Sequence, residues 1–191
     1  MDRFVAMLRS VNVGGRNRLQ MTDLRRVVAA LGFGDVSTYV QSGNLVFTGS
    51  GTPGAAARAI EVRIARDLGL EVPVIARTGG QLLDLIETNP LADADEDPTR
   101  LHVTFLSAPP DPDKVADLTA LDGRFGADRF EVIGKDVVLH CPRGYGRTTL
   151  NNTFLERHLG VTATTRNWRT VCTLAGMAGA GGAEGLDGED P

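Results

Sequence analysis

Two stretches of this chain gather the side chains best suited to holding an anion. The first carries Arg9, Asn12, Gly14, Gly15, Arg16, Asn17 and Arg18; the second carries Arg143, Arg147, Asn151 and, further on, Arg166. Guanidinium groups present forked donors that match phosphate oxygens, side-chain amides orient a ligand, and glycine lets backbone N–H groups come close. Each stretch is a loop with glycine and arginine that feeds a helix start, where free N–H groups and the helix dipole favour negative charge. From Arg143 to Arg169 there are five arginines and one acid, Glu156. The first loop is not a Walker loop, since the G-K-[ST] ending is missing, and it lacks the third glycine of a dinucleotide fingerprint. The same residues would also serve as plain connections with solvated arginines.

Other reactive residues make weaker patterns. His102 and His140 fall in the first and third strands of one repeat, which alternation would place on one face as two ligands of a metal site. No third ligand accompanies them, because Cys141 points the other way and His158 sits on a helix, so no metal is expected. Ser42 lies in a turn without the G-x-S-x-G elbow of a nucleophile. Glu61, Asp67 and Glu71 read as solvated acids, and no carboxylate pair suited to acid–base work is evident. No cofactor is called for.

The elements that must position these groups follow from periodicity. Phe4–Leu8 is an apolar run without in/out alternation, a strand covered on both faces. Thr22 is the expected N-cap of a helix with Leu24, Val27, Val28 and Leu31 on one face, ended by Gly32. Val36–Gln41 and Asn44–Thr48 flank a Ser42-Gly43 hairpin turn. A second helix carries Ile60, Ile64 and Leu68 and ends at Gly69; Val72–Ala76 is a strand and Gln81–Glu87 a short helix. The second half repeats this order: strand Leu101–Leu106, a helix opened by Asp111-Pro112, a hairpin of Arg129–Ile133 and Asp136–Cys141, helix Leu150–Leu159, strand Thr162–Arg166, and helix Trp168–Met177 capped by Asn167.

The pattern β-α-β-β-α-β-α therefore occurs twice. Gly43 and Gly134 are 91 residues apart, Gly69 and Gly160 also 91, and Phe33 and Phe125 92. This predicts an α+β fold built from a duplicated ferredoxin-like βαββαβ unit, each copy followed by an extra helix. The expected divisions are a first repeat at 1–90, an acidic linker at 91–99, a second repeat at 100–178 and a disordered acidic tail at 179–191. A βαββαβ unit leaves one sheet face bare, so the extra helices or the sister repeat should cover it. A sheet that stacks RNA bases on an open face does not fit, for the aromatic and glycine pattern it needs is missing.

Two segments resemble a known family. L-R-S-V-N-V-G-G-R-N, M-T-D-L-R and T-Y-V-Q-S-G-N-L-V-F, between Leu8 and Phe47, resemble the start of the bacterial family known as domain of unknown function 1697. N-N-T-F-L-E-R-H-L-G-V-T-A-T-T-R-N-W, Asn151 to Trp168, resembles its end. Ser10 and Val11 stand where the family's first loop usually has Gly-Ile. The resemblance implies the duplicated α+β fold and a bacterial, cytoplasmic setting, and it implies no reaction.

Composition bounds the rest. The chain has 191 residues, 42% of them hydrophobic, and a formal charge of −4. Four acids sit in the glycine-rich tail, Glu184, Asp187, Glu189 and Asp190; without them acidic and basic residues balance at 20 each. A further acid cluster, Asp93, Asp95, Glu96 and Asp97, sits in the linker, which leaves a mildly basic body. Two cysteines give no disulfide framework, and Phe4–Leu8 is too short for a signal core or a membrane span, so a cytoplasmic protein is expected. The function this supports is a binding module for a phosphate-bearing ligand, nucleic acid or nucleotide. The alternatives are an enzyme acting on a small anionic substrate in a cleft between the repeats, and a protein-interaction scaffold. The sequence leaves the oligomeric state open.

Overall fold

The computed structural model describes residues 1–13, 18–95 and 97–179. The expectations for Gly14, Gly15, Arg16 and Asn17, for Glu96, and for the tail after Gly179 lie outside the described residues. The first half runs β1 (Asp2–Leu8), α1 (Met21–Ala29), β2 (Gly34–Tyr39), β3 (Asn44–Gly49), α2 (Pro53–Leu68), β4 (Val74–Thr78), α3 (Gly79–Glu87). The second runs β5 (Leu101–Leu106), α4 (Pro112–Thr119), β6 (Arg129–Ile133), β7 (Asp136–His140), α5 (Asn152–Leu159), β8 (Ala163–Asn167), α6 (Trp168–Gly179). Each half forms one four-stranded antiparallel sheet, in the orders β2-β3-β1-β4 and β6-β7-β5-β8. The result is an α+β fold of two similar halves.

Burial explains why β1 is apolar on both faces. Phe4, Ala6 and Leu8 pack under α1 and α2 against Leu24, Val28, Ile60 and Ile64. Val5 and Met7 point the other way, into a central layer with Val46 and Ile75 of their own sheet and Val103, Phe105 and Val138 of the other. Leu82 and Leu85 from α3 and Val171, Leu174 and Ala175 from α6 complete that layer. Both the sister half and the extra helices thus cover the sheet faces. Each such side chain buried contributes about 1.5–3 kcal/mol, so the two halves stabilise each other. The α3–α6 contact is close: a Cβ on Gly79 would meet the Ala178 methyl at 2.9 Å.

The paired glycines keep equivalent places. Gly69 and Gly160 are left-handed C-caps of α2 and α5, and Gly43 and Gly134 have positive φ in the two hairpin turns. Several local expectations need correction. Thr22 is not the N-cap: α1 starts at Met21, with Gln20 in the cap position and no side-chain bond there. Glu61 is not simply solvated, since it accepts the Val74 N–H at 2.8 Å, and Asp67 pairs with Arg63. Segment 91–95 is held down, with Leu91 and Ala94 in the central layer and Asp95 bonded to Arg100 and His140 at 3.0 and 3.1 Å. Among the described residues no helix is long and apolar enough to cross a membrane.

Candidate functional site

The two arginine-bearing loops meet across the junction of the halves. The chain leaves β1 at Leu8, and Arg9 reaches the second half, where its Nε and Nη2 donate to the two Glu156 oxygens of α5 at 2.7 Å each. Glu156 also accepts the Ala163 N–H at 2.9 Å, so it ties together β1, α5 and β8. Ser10 and Asn12 then take positive φ, 55° and 56°, which bends the loop away. Beside this turn lies an open cleft of about 620 Å³ lined by Arg9 and Ser10 from the first half and by Tyr145, Thr149, Asn151–Phe154 and Arg157 from the second.

The far wall of the cleft is the start of α5. Asn151 is its N-cap and accepts the Phe154 N–H at 3.1 Å, while its amide NH2 has no protein partner among the described residues. Beneath lies a hydroxyl network. Tyr145 donates to the Thr165 hydroxyl at 3.0 Å, and that hydroxyl donates to Asn152 Oδ1 at 2.6 Å. With the Thr165 proton so used, Thr104, 2.7 Å away, must be a donor to Thr165. Burial pushes the Tyr145 phenol above its ordinary pKa, so it stays protonated. Its ring stacks on His102, with centroids 4.7 Å apart.

The named loop residues fare differently. Arg9 lines the cleft but is committed to Glu156. Asn12 is a structural clamp: its Oδ1 accepts the Leu19 N–H at 2.9 Å, and its amide donates to the Leu19 and Gln41 carbonyls at 2.9 and 2.7 Å. Arg18 is exposed over a separate shallow groove with Gln20, Asp23 and Gln41. Arg143 and Arg147 are exposed and do not line the cleft, whereas Arg157, which loop-centred reasoning passed over, does.

Arg166 cannot touch a ligand, which corrects its expected role. It is 9% exposed, and all five of its N–H groups are used: Nε on Asn44 Oδ1, Nη1 on the Thr164 hydroxyl and the Thr165 carbonyl, Nη2 on the carbonyls of Leu8 and Ser42. Arg77, 2% exposed in the matching strand β4, makes the reciprocal connection. It donates to Asp136 at 2.7 and 3.1 Å and to the carbonyls of Leu106 and Lys135 at 2.9 and 2.8 Å. The halves are therefore cross-locked by two arginines, each from a last strand into the other half's hairpin turn and first-strand end. The repeated arginine ahead of the extra helix, in V-I-A-R-T and A-T-T-R-N, was the signal for this pair. One lock closes on a carboxylate, Asp136, and the other on a neutral amide, Asn44.

The histidine pair is not a metal start. In the β5–β7 ladder Leu101 faces His140 and His102 faces Leu139, so the two imidazoles lie on opposite faces of the sheet. His102 packs with Tyr145 on the helix side and His140 pairs with Asp95 on the other. Burial lowers the His102 pKa and keeps that ring neutral. Among the described residues no group of three potential ligands could hold a metal. Cys141 is buried, its thiol pushed up to about 11, and Ser42 accepts from Asn44 at 3.0 Å as a turn residue.

Comparison with known proteins adds a family and a fold. The model of a family described as protein of unknown function (DUF1697) matches residues 1–137, so the resembling segment at Asn151–Trp168 lies beyond the matched span. The chain is similar to the conserved bacterial protein SP0830 from Streptococcus pneumoniae, with a TM-score of 0.74 and 20% identity over 93% of this chain and 98% of that one. That likeness shows a shared fold. Among curated proteins none matches.

Proposed function

The chain belongs to the DUF1697 family, and we propose that it is a bacterial binding module for a phosphate-bearing ligand held in the cleft between Arg9 and the start of α5. The observation that carries this reading is that cleft itself, whose walls come from both halves and which is lined by Arg9 and Arg157 beside a helix N-terminus. Arg157 has no carboxylate partner among the described residues, and the Asn151 amide NH2 has donors to spare. The strand order of each half supports the ferredoxin-like reading, and the Arg9–Glu156 pair joins the end of β1 to α5 across the halves.

Binding is favoured over catalysis by the state of the acids and phenols. Glu156, the ion-pair partner of the cleft residue Arg9, accepts both Arg9 bonds and the Ala163 N–H, so three of its roughly four lone-pair sites are in use and it serves as a structural counter-ion rather than a proton acceptor. Tyr145 is a half-buried neutral phenol already donating to Thr165. A thermal-shift series with inorganic phosphate, nucleotides and short oligonucleotides tests the proposal. A ligand in the cleft raises Tm with its concentration, by about 2.7 kcal/mol of stabilisation at a hundredfold excess over Kd, and Arg157→Glu abolishes the shift. If a member of the series is an oligonucleotide, its retention falls steeply with salt. Absence of any shift at millimolar phosphate, nucleotide and oligonucleotide overturns the proposal.

A further inference from the structure

The duplicated fold supplies its own control for electrostatics. Each half sends a buried arginine into the other, and each arginine meets three backbone carbonyls, one of them that of the residue before it. Arg77 meets the carbonyls of Leu106 and Lys135, and Arg166 meets the carbonyls of Leu8 and Ser42. The remaining acceptors differ: an Asp136 carboxylate in one, an Asn44 amide oxygen and the Thr164 hydroxyl in the other. A guanidinium with only neutral acceptors keeps its full charge inside the protein. Desolvation alone brings the Arg166 pKa down to about 10, which leaves it protonated at neutral pH.

This uncompensated charge sits beside the cleft. Arg166 donates to the carbonyl of Leu8, and the next residue, Arg9, lines the cleft. It also donates to the carbonyl of Thr165, whose hydroxyl holds Asn152 on the opposite wall. Arg9 itself is neutralised by Glu156, whereas Arg157 and Arg166 have no carboxylate partner among the described residues.

Resting on the binding reading above, we propose that Arg166 is a buried positioning charge that gives the cleft its preference for doubly charged phosphate over singly charged anions, and that Asn44 in place of an acid is what leaves this charge available. One unit charge acting across roughly 10 Å at an effective permittivity near 20 changes affinity about tenfold per ligand charge before screening. At physiological ionic strength this falls to roughly fivefold.

The experiment measures inorganic phosphate binding by calorimetry on the full chain, at two pH values on either side of the second phosphate ionisation, for wild type, Asn44→Asp, Arg166→Gln, Arg166→Lys and Asp136→Asn. Asn44→Asp and Arg166→Gln lower the affinity about fivefold for the monoanion and about twenty-five-fold for the dianion, while Arg166→Lys keeps it within twofold. Asp136→Asn, which frees the charge of Arg77 on the other side of the junction, leaves binding unchanged. Two results overturn the inference: wild-type affinity and selectivity in both Asn44→Asp and Arg166→Gln, or an equal loss in Arg166→Lys and Arg166→Gln. The lysine variant separates lost charge from lost packing if Asn44→Asp folds poorly. Wild type that binds no phosphate fails at the earlier step and removes the cleft reading together with this one.

Discussion

Replacing Arg77 by methionine should destabilise the protein far more than replacing its partner Asp136 by asparagine. Arg77 is 2% exposed and makes two bonds to Asp136 and one each to the carbonyls of Ala76, Leu106 and Lys135. Methionine leaves those buried acceptors without donors and strands a buried carboxylate, a loss of about 3–5 kcal/mol. Asparagine at 136 still offers an oxygen to the guanidinium, as Asn44 does for Arg166. Burial outweighs the nearby arginine at Asp136 and raises its carboxyl pKa, so the charge there costs more than the pair returns. The sign follows: this group favours the folded state at low pH, and that contribution is lost as pH rises from the unfolded carboxyl value through the raised folded one. Asp136→Asn should therefore lie within about 1 kcal/mol of wild type at neutral pH. Urea unfolding at pH 7 and again near pH 4 measures both, and about 1 kcal/mol corresponds to 2–4 °C in Tm for a chain of this size. Arg77→Met should recover part of its loss at the lower pH, where Asp136 takes a proton. The reasoning is refuted if the two variants are equally destabilised, or if Arg77→Met costs under about 1 kcal/mol.

Asn12→Ala should remove the clamp that joins Leu19 and Gln41, costing about 1–3 kcal/mol, and hydrogen exchange at the Leu19 amide should quicken well beyond that at the Leu8 amide in β1. The bonds from the Asp97 N–H, His140 and Arg100 hold the Asp95 carboxyl down at about 2, so its contribution is complete above its ordinary 3.8 and is lost as pH falls from there toward 2. Proteolysis or amide exchange across residues 91–100 should increase in that window, and an unchanged profile between wild type and Asp95→Asn would remove Asp95 as the cause.

Apolar periodicity and turn residues made most of the fold legible, because both are local. The double-sided run Phe4–Leu8, the stripe of Ile60 and Ile64, and the C-cap glycines Gly69 and Gly160 each report a backbone state or a buried face within a few residues. The doubled order of elements fixed the number of strands per half and, through β1, the need for something to cover the sheets. Cap positions slipped where side chain and backbone compete: Thr22 has the right chemistry for an N-cap, yet the helix begins with Met21 buried in the core.

The site was legible only as a list of residue types. Arginine reads alike in sequence whether solvated, paired or buried, and its surroundings here come from residues 147 positions away for Arg9 and 122 for the Arg166–Asn44 bond. Sequence pattern therefore points to Arg9 without its Glu156 partner, offers Arg166 as a phosphate contact, and does not single out Arg157. The sequence by itself determined which segments are strands and helices, since steric preference and burial pattern act along the chain. Only the tertiary structure decided which cations meet a carboxylate, which meet neutral oxygens and which face the cleft, because charge compensation depends on distance in space.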